Sequence, residues 1–267
     1  HPYGEPGIGH MSDLMNFTRP EAQVFFDKYY TASNLTCVVS GDIDPKRARA
    51  LAEAYFGRLP KRPKPEPLRI TEPKQEVERR IILKVQSQPW VLIGYHKPAA
   101  TDPDGPVYDA IGSLLSDGRS SRLYRHLVTE KKIVAGAGGF PDFSGEKYPG
   151  LFFFYAAANP GKSNDEVEQA MFAEIEDLKN NLVTKEELEG VKRRARSGII
   201  NSLSSNTSIG MQLAKFQVLT GDWRNTFKYL DEIEKVTPED VQRVARATFT
   251  ESNRTVGYIE SAKPAGK

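Results

Sequence analysis

Thr18-Arg-Pro-Glu-Ala-Gln-Val-Phe-Phe-Asp-Lys-Tyr-Tyr-Thr-Ala-Ser-Asn-Leu-Thr36 near one end of the chain is answered near the other by Val236-Thr-Pro-Glu-Asp-Val-Gln-Arg-Val-Ala-Arg-Ala-Thr-Phe-Thr-Glu-Ser-Asn-Arg-Thr255. Each stretch reads as a Pro-Glu helix start, then aromatic residues, then Ser-Asn-x-Thr leading into a strand. Pro20 aligns with Pro238 at a separation of 218, and Asn34 with Asn253 at 219, which implies one inserted residue. A unit of that length leaves room in 267 residues for one whole copy and the tail of another. The chain opens on His1, not Met, so the reading predicts the C-terminal part of a larger protein.

Outward from the first copy, Thr18 and Glu21 have the spacing of a capping box, which predicts a helix to about Tyr30. Leu35 to Ser40 is apolar and β-branched, the pattern of a short buried strand, with Cys37 as a buried structural thiol. Asp44-Pro45 predicts a cap and first helical position, with Ala48, Leu51, Ala52, Tyr55 and Phe56 at helical spacing. Residues 59–75 hold Pro60, Pro63, Pro65, Pro67 and Pro73 among charges, which suits an extended linker. Strands are predicted at Arg80–Val85, Trp90–Tyr95, Ile133–Gly138, Leu151–Ala158 and Asn253–Glu260. Helices are predicted from Pro106, over Leu123–Glu130, and through most of 163–249, with starts at Ser163, Thr184 and Thr237. This order predicts an α+β fold of the split β-α-β type: a mixed or antiparallel sheet, helices on one face, the second copy of a duplicated domain. The predicted organisation is the tail of a first domain over 1–58, the linker, a complete second domain over 76–262 and a tail over 263–267.

A net charge of +2, with no basic block alternating with aromatics, argues against nucleic acid. No apolar run reaches the length of a membrane span. His-Glu-x-x-His and its inverse are both absent, and His1, His10, His96 and His126 are scattered. His126 and Glu130 form an i, i+4 pair, read as a helix-surface contact. Gly136-Ala-Gly-Gly139 lacks the strand-then-helix setting of a phosphate loop. Lys192, Arg193, Arg194 and Arg196 read as a solvated helix face, with an acidic partner as the alternative. Phe152-Phe-Phe-Tyr155 reads as a strand buried on both faces, with peptide pairing at a sheet edge as the alternative. No catalytic, cofactor-binding or metal-binding residue is assigned.

Several segments together resemble one family, the insulinase/pitrilysin zinc metallopeptidases with their processing-peptidase relatives. His1-Pro-Tyr-Gly-Glu-Pro-Gly-Ile-Gly9 is similar to the segment after the zinc-binding helices of that family's first domain. Phe25-Phe-x-x-Tyr-Tyr-Thr-x-x-Asn-Leu-Thr36, Val39-Ser-Gly-Asp-Ile43 and Tyr55-Phe-Gly57 resemble the end of the same domain. Gly118-Arg-Ser-Ser-Arg-Leu-Tyr-Arg-His-Leu-Val-Thr-Glu-Lys131 resembles the signature helix of the second domain.

The resemblance implies a duplicated α+β domain, a clamshell around a peptide chamber, and a zinc ion held by His-x-x-Glu-His upstream of His1. Zinc is thus expected in the missing N-terminal part and not in this chain. It also implies an Arg and a Tyr, seven residues apart, facing the zinc to hold substrate and stabilise the oxyanion. Val128 and Ala135 stand at those positions here, with Arg125 as a weak substitute. The expected partners are the N-terminal zinc-binding domain, a second subunit carrying the Arg/Tyr pair, and a peptide substrate. The expected function is the non-zinc-binding part of a zinc metalloendopeptidase, forming a chamber wall and a domain or subunit interface. A non-catalytic assembly subunit of the same fold and a peptide-binding module are the alternatives.

Overall fold

The computed structural model describes residues 1–262, so the tail expected at 263–267 lies outside the described residues. Its elements are α1 (Met11–Asn16), α2 (Arg19–Tyr29), α3 (Pro45–Phe56), β1 (Arg79–Val85), β2 (Trp90–Lys97), α4 (Gly105–Ser116), a π-helical segment (Tyr124–Glu130), β3 (Val134–Phe143), β4 (Gly150–Ala158), α5 (Asn164–Asn180), α6 (Lys185–Ser202), α7 (Asn206–Thr220), α8 (Asn225–Lys235), α9 (Pro238–Thr248) and β5 (Arg254–Ser261). Two compact units emerge. One joins residues 1–72 to 199–226; the other joins 73–198 to the chain from Phe227 onward. The sequence reading placed 199–226 with 76–262, whereas the chain passes to the first unit within α6 and returns within α8.

The second unit is built on one five-stranded sheet of order β1-β5-β2-β4-β3. β1 runs parallel to β5; β5 with β2, β2 with β4, and β4 with β3 are antiparallel. Side chains alternate across a strand, and here every second residue is buried. Val91, Ile93 and Tyr95 of β2 and Phe152 and Phe154 of β4 are at most 1% exposed, meeting residues of α4, α5 and α9 in one core. Phe249, just after α9, has its ring centroid 5.0 Å from Tyr95, 5.2 Å from Phe152 and 5.5 Å from Phe154, all edge-on. Such edge-to-face pairs add to the burial of the rings themselves. Glu168 of α5 is almost fully buried, yet it accepts from Arg80 of β1 at 2.5 and 3.1 Å and from the Tyr258 hydroxyl of β5. A buried carboxylate needs such partners, and this one ties the sheet's parallel pair to its helix layer.

The glycines of β3 make room for aromatic rings. A Cβ on Gly139 would lie 2.7 Å from the Phe154 ring, and one on Gly138 would lie 2.7 Å from the Tyr155 hydroxyl. Gly136 has open space. Gly139→Ala is therefore expected to cost about 1–3 kcal/mol by overpacking, and Gly136→Ala far less, as read by urea denaturation of the two variants. The run Phe152–Tyr155 is buried on one face only, since Phe153 and Tyr155 are partly exposed. β4 also lies inside the sheet, so the edge-pairing alternative fails.

One end of the sequence pattern lies in the first unit and the other in the second, and the two match in their elements and most of their local hydrogen bonds at a uniform spacing. α2 and α9 have the same length and start 219 residues apart, as do the 3₁₀ turns Ala32–Asn34 and Glu251–Asn253. Thr18 donates from its N–H and hydroxyl to Glu21 at 2.8 and 2.7 Å; Thr237 does the same to Asp240 at 3.1 and 2.7 Å. Asn34 Nδ2 donates to the Tyr29 carbonyl at 2.9 Å, and Asn253 Nδ2 to the Thr248 carbonyl at 2.8 Å. The expected insertion is therefore absent. The prolines sit one place apart, Pro238 first in its helix and Pro20 second, and both positions lack the need for an N–H.

The two copies then part. The second leads into β5, paired on both sides, while Leu35–Ser40 is extended but pairs with nothing. Among the described residues, no backbone group of Thr36–Val39 bonds to another backbone group. The expected strand has the right residues but no neighbouring strands, because all five strands among the described residues belong to the sheet of the second unit. α7 lies against it: a Cβ on Gly210 would come 3.1 Å from the Ser40 hydroxyl, which donates to the Asn206 carbonyl at 2.5 Å. Leu35–Val39, Leu213 and Gln217 of α7, and Trp223 after it line a groove of about 520 Å³. Cys37 is exposed, which corrects the expected buried thiol.

Candidate functional site

The signature segment carries three departures from regular backbone in close succession. Tyr124–Glu130 is a π-helix, closed by a five-residue bond from Lys131 N–H to the His126 carbonyl at 2.9 Å. Lys132 has φ 54°, the left-handed region, and its carbonyl accepts from Asn159 Nδ2 at 2.9 Å. The β3–β4 register then shifts between Val134 and Gly136, so Ala135 is the extra residue of a bulge. π-turns and bulges re-aim side chains and recur at functional sites.

This backbone decides what the predicted positions can do. Val128 is half-buried against the core and Ala135 is exposed; neither side chain has a hydrogen-bonding group. In the wider π-turn, residues three apart no longer share a face, so Arg125 does not stand in for Val128. Its guanidinium instead donates to His126 Nε2 at 3.2 Å and lies 4.0 Å from Glu130. The expected His126–Glu130 contact is replaced by one to another helix: His126 Nδ1 meets Glu174 of α5 at 2.7 Å. Lys192 and Arg196 are not a free basic face. Lys192 donates to the Glu234 carbonyl at 2.7 Å and Arg196 makes two bonds to the Glu234 carboxylate, at 2.5 and 2.8 Å. Arg194 donates to Ser113 on α4.

Two buried polar clusters anchor the signature segment and the helices around it. Arg122 is 7% exposed and donates twice to Glu187 of α6, at 2.8 and 3.0 Å, and once to Asp177 of α5, at 2.6 Å. On α4, Asp109 accepts from the Tyr229 hydroxyl of α8 at 2.6 Å. Burial pushes the Asp109 carboxyl up and, at the end of β2, the Lys97 amine down. Among the described residues, no group of three or more His, Cys, Asp or Glu side chains is placed to hold a metal ion. No described helix is long and apolar enough to cross a membrane.

The surface with the most distinct chemistry is the sheet face turned away from α4, α5 and α9. Trp90 and Leu92 of β2, Phe153 and Tyr155 of β4, and Phe140 and Phe143 of β3 present their side chains there, all partly or well exposed. Phe143 stacks on Phe153 with centroids 4.2 Å apart; Phe140 lies 5.8 Å from Phe153, and Trp90 6.3 Å from Tyr155. Rings on one sheet face form a platform for extended apolar chains. The sequence reading missed this platform. The alternation Phe152/Phe154 against Phe153/Tyr155 was the available signal; which face lay open depended on the helices.

Comparison with known proteins agrees with the fold. The chain is similar to the zinc protease PqqE of Helicobacter pylori, at 27% identity over 97% of this chain and 59% of that protein. A crystal structure of a protease from Helicobacter pylori superposes with a TM-score of 0.90 at 27% identity, covering 97% of this chain and 63% of the other. The crystal structure of a peptidase M16 inactive domain from Pseudomonas fluorescens shares the fold, with a TM-score of 0.82 at 20% identity over 99% of this chain and 63% of that one. The chain spans between half and two-thirds of the length of these relatives. Residues 16–195 match the family described as the peptidase M16 inactive domain, and the chain belongs to that family.

Proposed function

We propose that this chain is the non-zinc-binding part of a zinc endopeptidase and forms a wall of its peptide chamber. The observation that carries this is the aromatic sheet face. One side of the sheet is sealed by helices, while the other displays Trp90, Phe140, Phe143, Phe153 and Tyr155 without any polar catalytic group among them. Such a surface holds the apolar side chains of an unfolded segment and lets it slide, since ring faces discriminate little between side chains. The zinc and its general base belong to an N-terminal domain, where a metal-polarised water attacks the peptide carbonyl. With Val128 and Ala135 at the positions of the Arg/Tyr pair, oxyanion stabilisation falls to a second subunit.

The test uses the chain's two tryptophans, Trp90 and Trp223. A Trp223→Phe variant leaves Trp90 as the sole reporter, and titration with an unfolded apolar peptide is expected to shift its emission saturably. The same mixture with added zinc is expected to show no cleavage. Unchanged emission up to about 1 mM peptide removes the wall. Turnover abolished by a chelator removes the non-catalytic assignment.

A further inference from the structure

The dipeptide Asp-Gly occurs twice, at Asp104–Gly105 and Asp117–Gly118, one at each end of α4. In such a pair the side-chain carboxyl carbon can close a five-membered ring on the next amide nitrogen, and glycine puts no side chain in the way. The two pairs share this chemistry and differ in setting. At the first, every participating atom is held. Arg243 donates to the Asp104 carboxylate at 2.7 and 2.8 Å, which keeps that carboxyl below its ordinary range and ionised. The Asp104 carbonyl accepts from the N–H groups of Val107 and Tyr108 at 2.9 and 3.1 Å, and the Gly105 N–H donates to the Asp102 carbonyl at 2.8 Å. Gly105 is buried, and a Cβ on it would lie 2.7 Å from the Ala100 carbonyl oxygen. At the second, only the Asp117 N–H is held, by the Ser113 carbonyl at 3.1 Å. Among the described residues, the Asp117 carboxyl and carbonyl and the Gly118 N–H have no hydrogen-bond partner. Residues 117–120 are exposed, and the space around Gly118 is open. Asp117 has ψ 106°, which turns the Gly118 nitrogen away from its side chain, and Gly118 has φ 78°. Rotation of that one peptide plane brings the nitrogen back. It breaks no hydrogen bond, and glycine accepts either sign of φ as the plane turns.

We infer that Asp117 is a site of spontaneous isoaspartate formation and that Asp104 is not. The Gly118 amide nitrogen bonds to Asp117 Cγ, and its proton leaves with the carboxyl hydroxyl as one water, giving a cyclic imide. A second water then adds to one of the two imide carbonyls. Addition at the α-carbonyl breaks the original peptide C–N bond, frees an α-carboxylate and routes the chain through Cβ and Cγ. Addition at the other restores aspartate. One water leaves and one enters, so the change needs no further reagent. The product inserts a methylene into the backbone just ahead of Gly118. The Gly118 carbonyl accepts from the Ser121 N–H at 3.2 Å and from its hydroxyl at 2.8 Å, and Ser121 is 3% exposed. Arg122, with its two carboxylate partners, comes next. The signature segment Gly118–Lys131 thus starts on a bond that alters with time. This site lies outside the aromatic sheet face and does not depend on the chamber-wall reading.

One tryptic peptide, residues 85–119, carries both dipeptides, because Lys97 precedes a proline and is not cut. The chain is held for weeks at neutral pH and body temperature, with circular dichroism confirming that it stays folded. Electron-transfer fragmentation of that peptide then locates each isoaspartate, against an unaged sample digested in parallel. Isoaspartate is expected at Asp117 in about tenfold or greater excess over Asp104. In urea the excess is expected to vanish, since the fold alone separates the two dipeptides. Asp117→Glu, whose imide ring is one atom larger and closes far more slowly, is expected to abolish the product at that position. In the modified fraction, amide exchange is expected to speed up at Ser121, whose N–H bonds to the Gly118 carbonyl. No isoaspartate at Asp117 in the folded chain overturns the proposal, as do equal amounts at the two sites or an excess that persists in urea. Unchanged exchange at Ser121 overturns the consequence drawn for the signature segment.

Discussion

Arg122→Met is expected to lower the unfolding free energy of the chain by about 3 kcal/mol. Methionine keeps the length and apolar stem of arginine, so the loss isolates the guanidinium. Two carboxylates on different helices, Glu187 of α6 and Asp177 of α5, would be left facing each other without the cation between them. Breaking a buried ion pair from one side typically costs about 3–5 kcal/mol. The low end applies here because Asp177 is 44% exposed and water can reach it. The acid limb of stability gives a second reading of the same cluster. Burial works to raise the Glu187 carboxyl, but hydrogen bonds from Arg122 and Thr184 outweigh it and bring it down to about 2 from 4.5. A carboxyl depressed in the folded state contributes fully above its unfolded value and loses that contribution as pH falls through the folded one. The wild-type chain should therefore lose stability between about pH 4.5 and 2, and Arg122→Met should lose less over that interval. Denaturant unfolding at several pH values measures both effects. A variant as stable as the parent at pH 7 would show that the cluster is neutral.

Phe249→Ala is the second large effect, about 3–5 kcal/mol. Phe249 is 1% exposed and touches three other buried rings edge-on, from β2 and β4. Its removal opens a cavity where α9 meets the sheet, and Tyr95, Phe152 and Phe154 cannot collapse into it without leaving their strands' faces. Phe143→Ala is the control: Phe143 is 40% exposed and stacks on Phe153 from outside, so its loss should cost about 1 kcal/mol. Urea denaturation with an unchanged m value tests the contrast. Equal costs would mean that the two faces of the sheet are equally packed.

Local chemistry was the legible part of this chain. The Thr18 and Thr237 capping boxes, the Asp44-Pro45 start and the five strands of the sheet follow from side chains within a few residues of each other. Tertiary setting was the illegible part. Leu35–Ser40 has strand residues, yet a strand exists only with a neighbour, and no local signal records whether one is present. The π-turn at Tyr124–Glu130 reads as ordinary helix because its composition does not differ from one, and the inference of Arg125 for Val128, drawn from α-helical spacing, failed with it; His126 with Glu130 failed because Glu174 of another helix takes the imidazole. Lys192 and Arg196 looked solvated because their partner, Glu234, lies on another helix. The aromatic platform needed the sheet before it could be seen.

The order of strands also bears on how the chain is made. β5 sits between β1 and β2, although β1 is synthesised some 170 residues earlier. Until Arg254–Ser261 leaves the ribosome, β1 has no neighbour at all and displays Ile81, Ile82 and Leu83 to the cell, while β2, β3 and β4 can already pair. Closure of the sheet is therefore a late, long-range event, slow by its high contact order. Between the synthesis of β1 and that of β5 the nascent chain offers a sticky apolar strand of the sort that chaperones hold and neighbouring polypeptides capture.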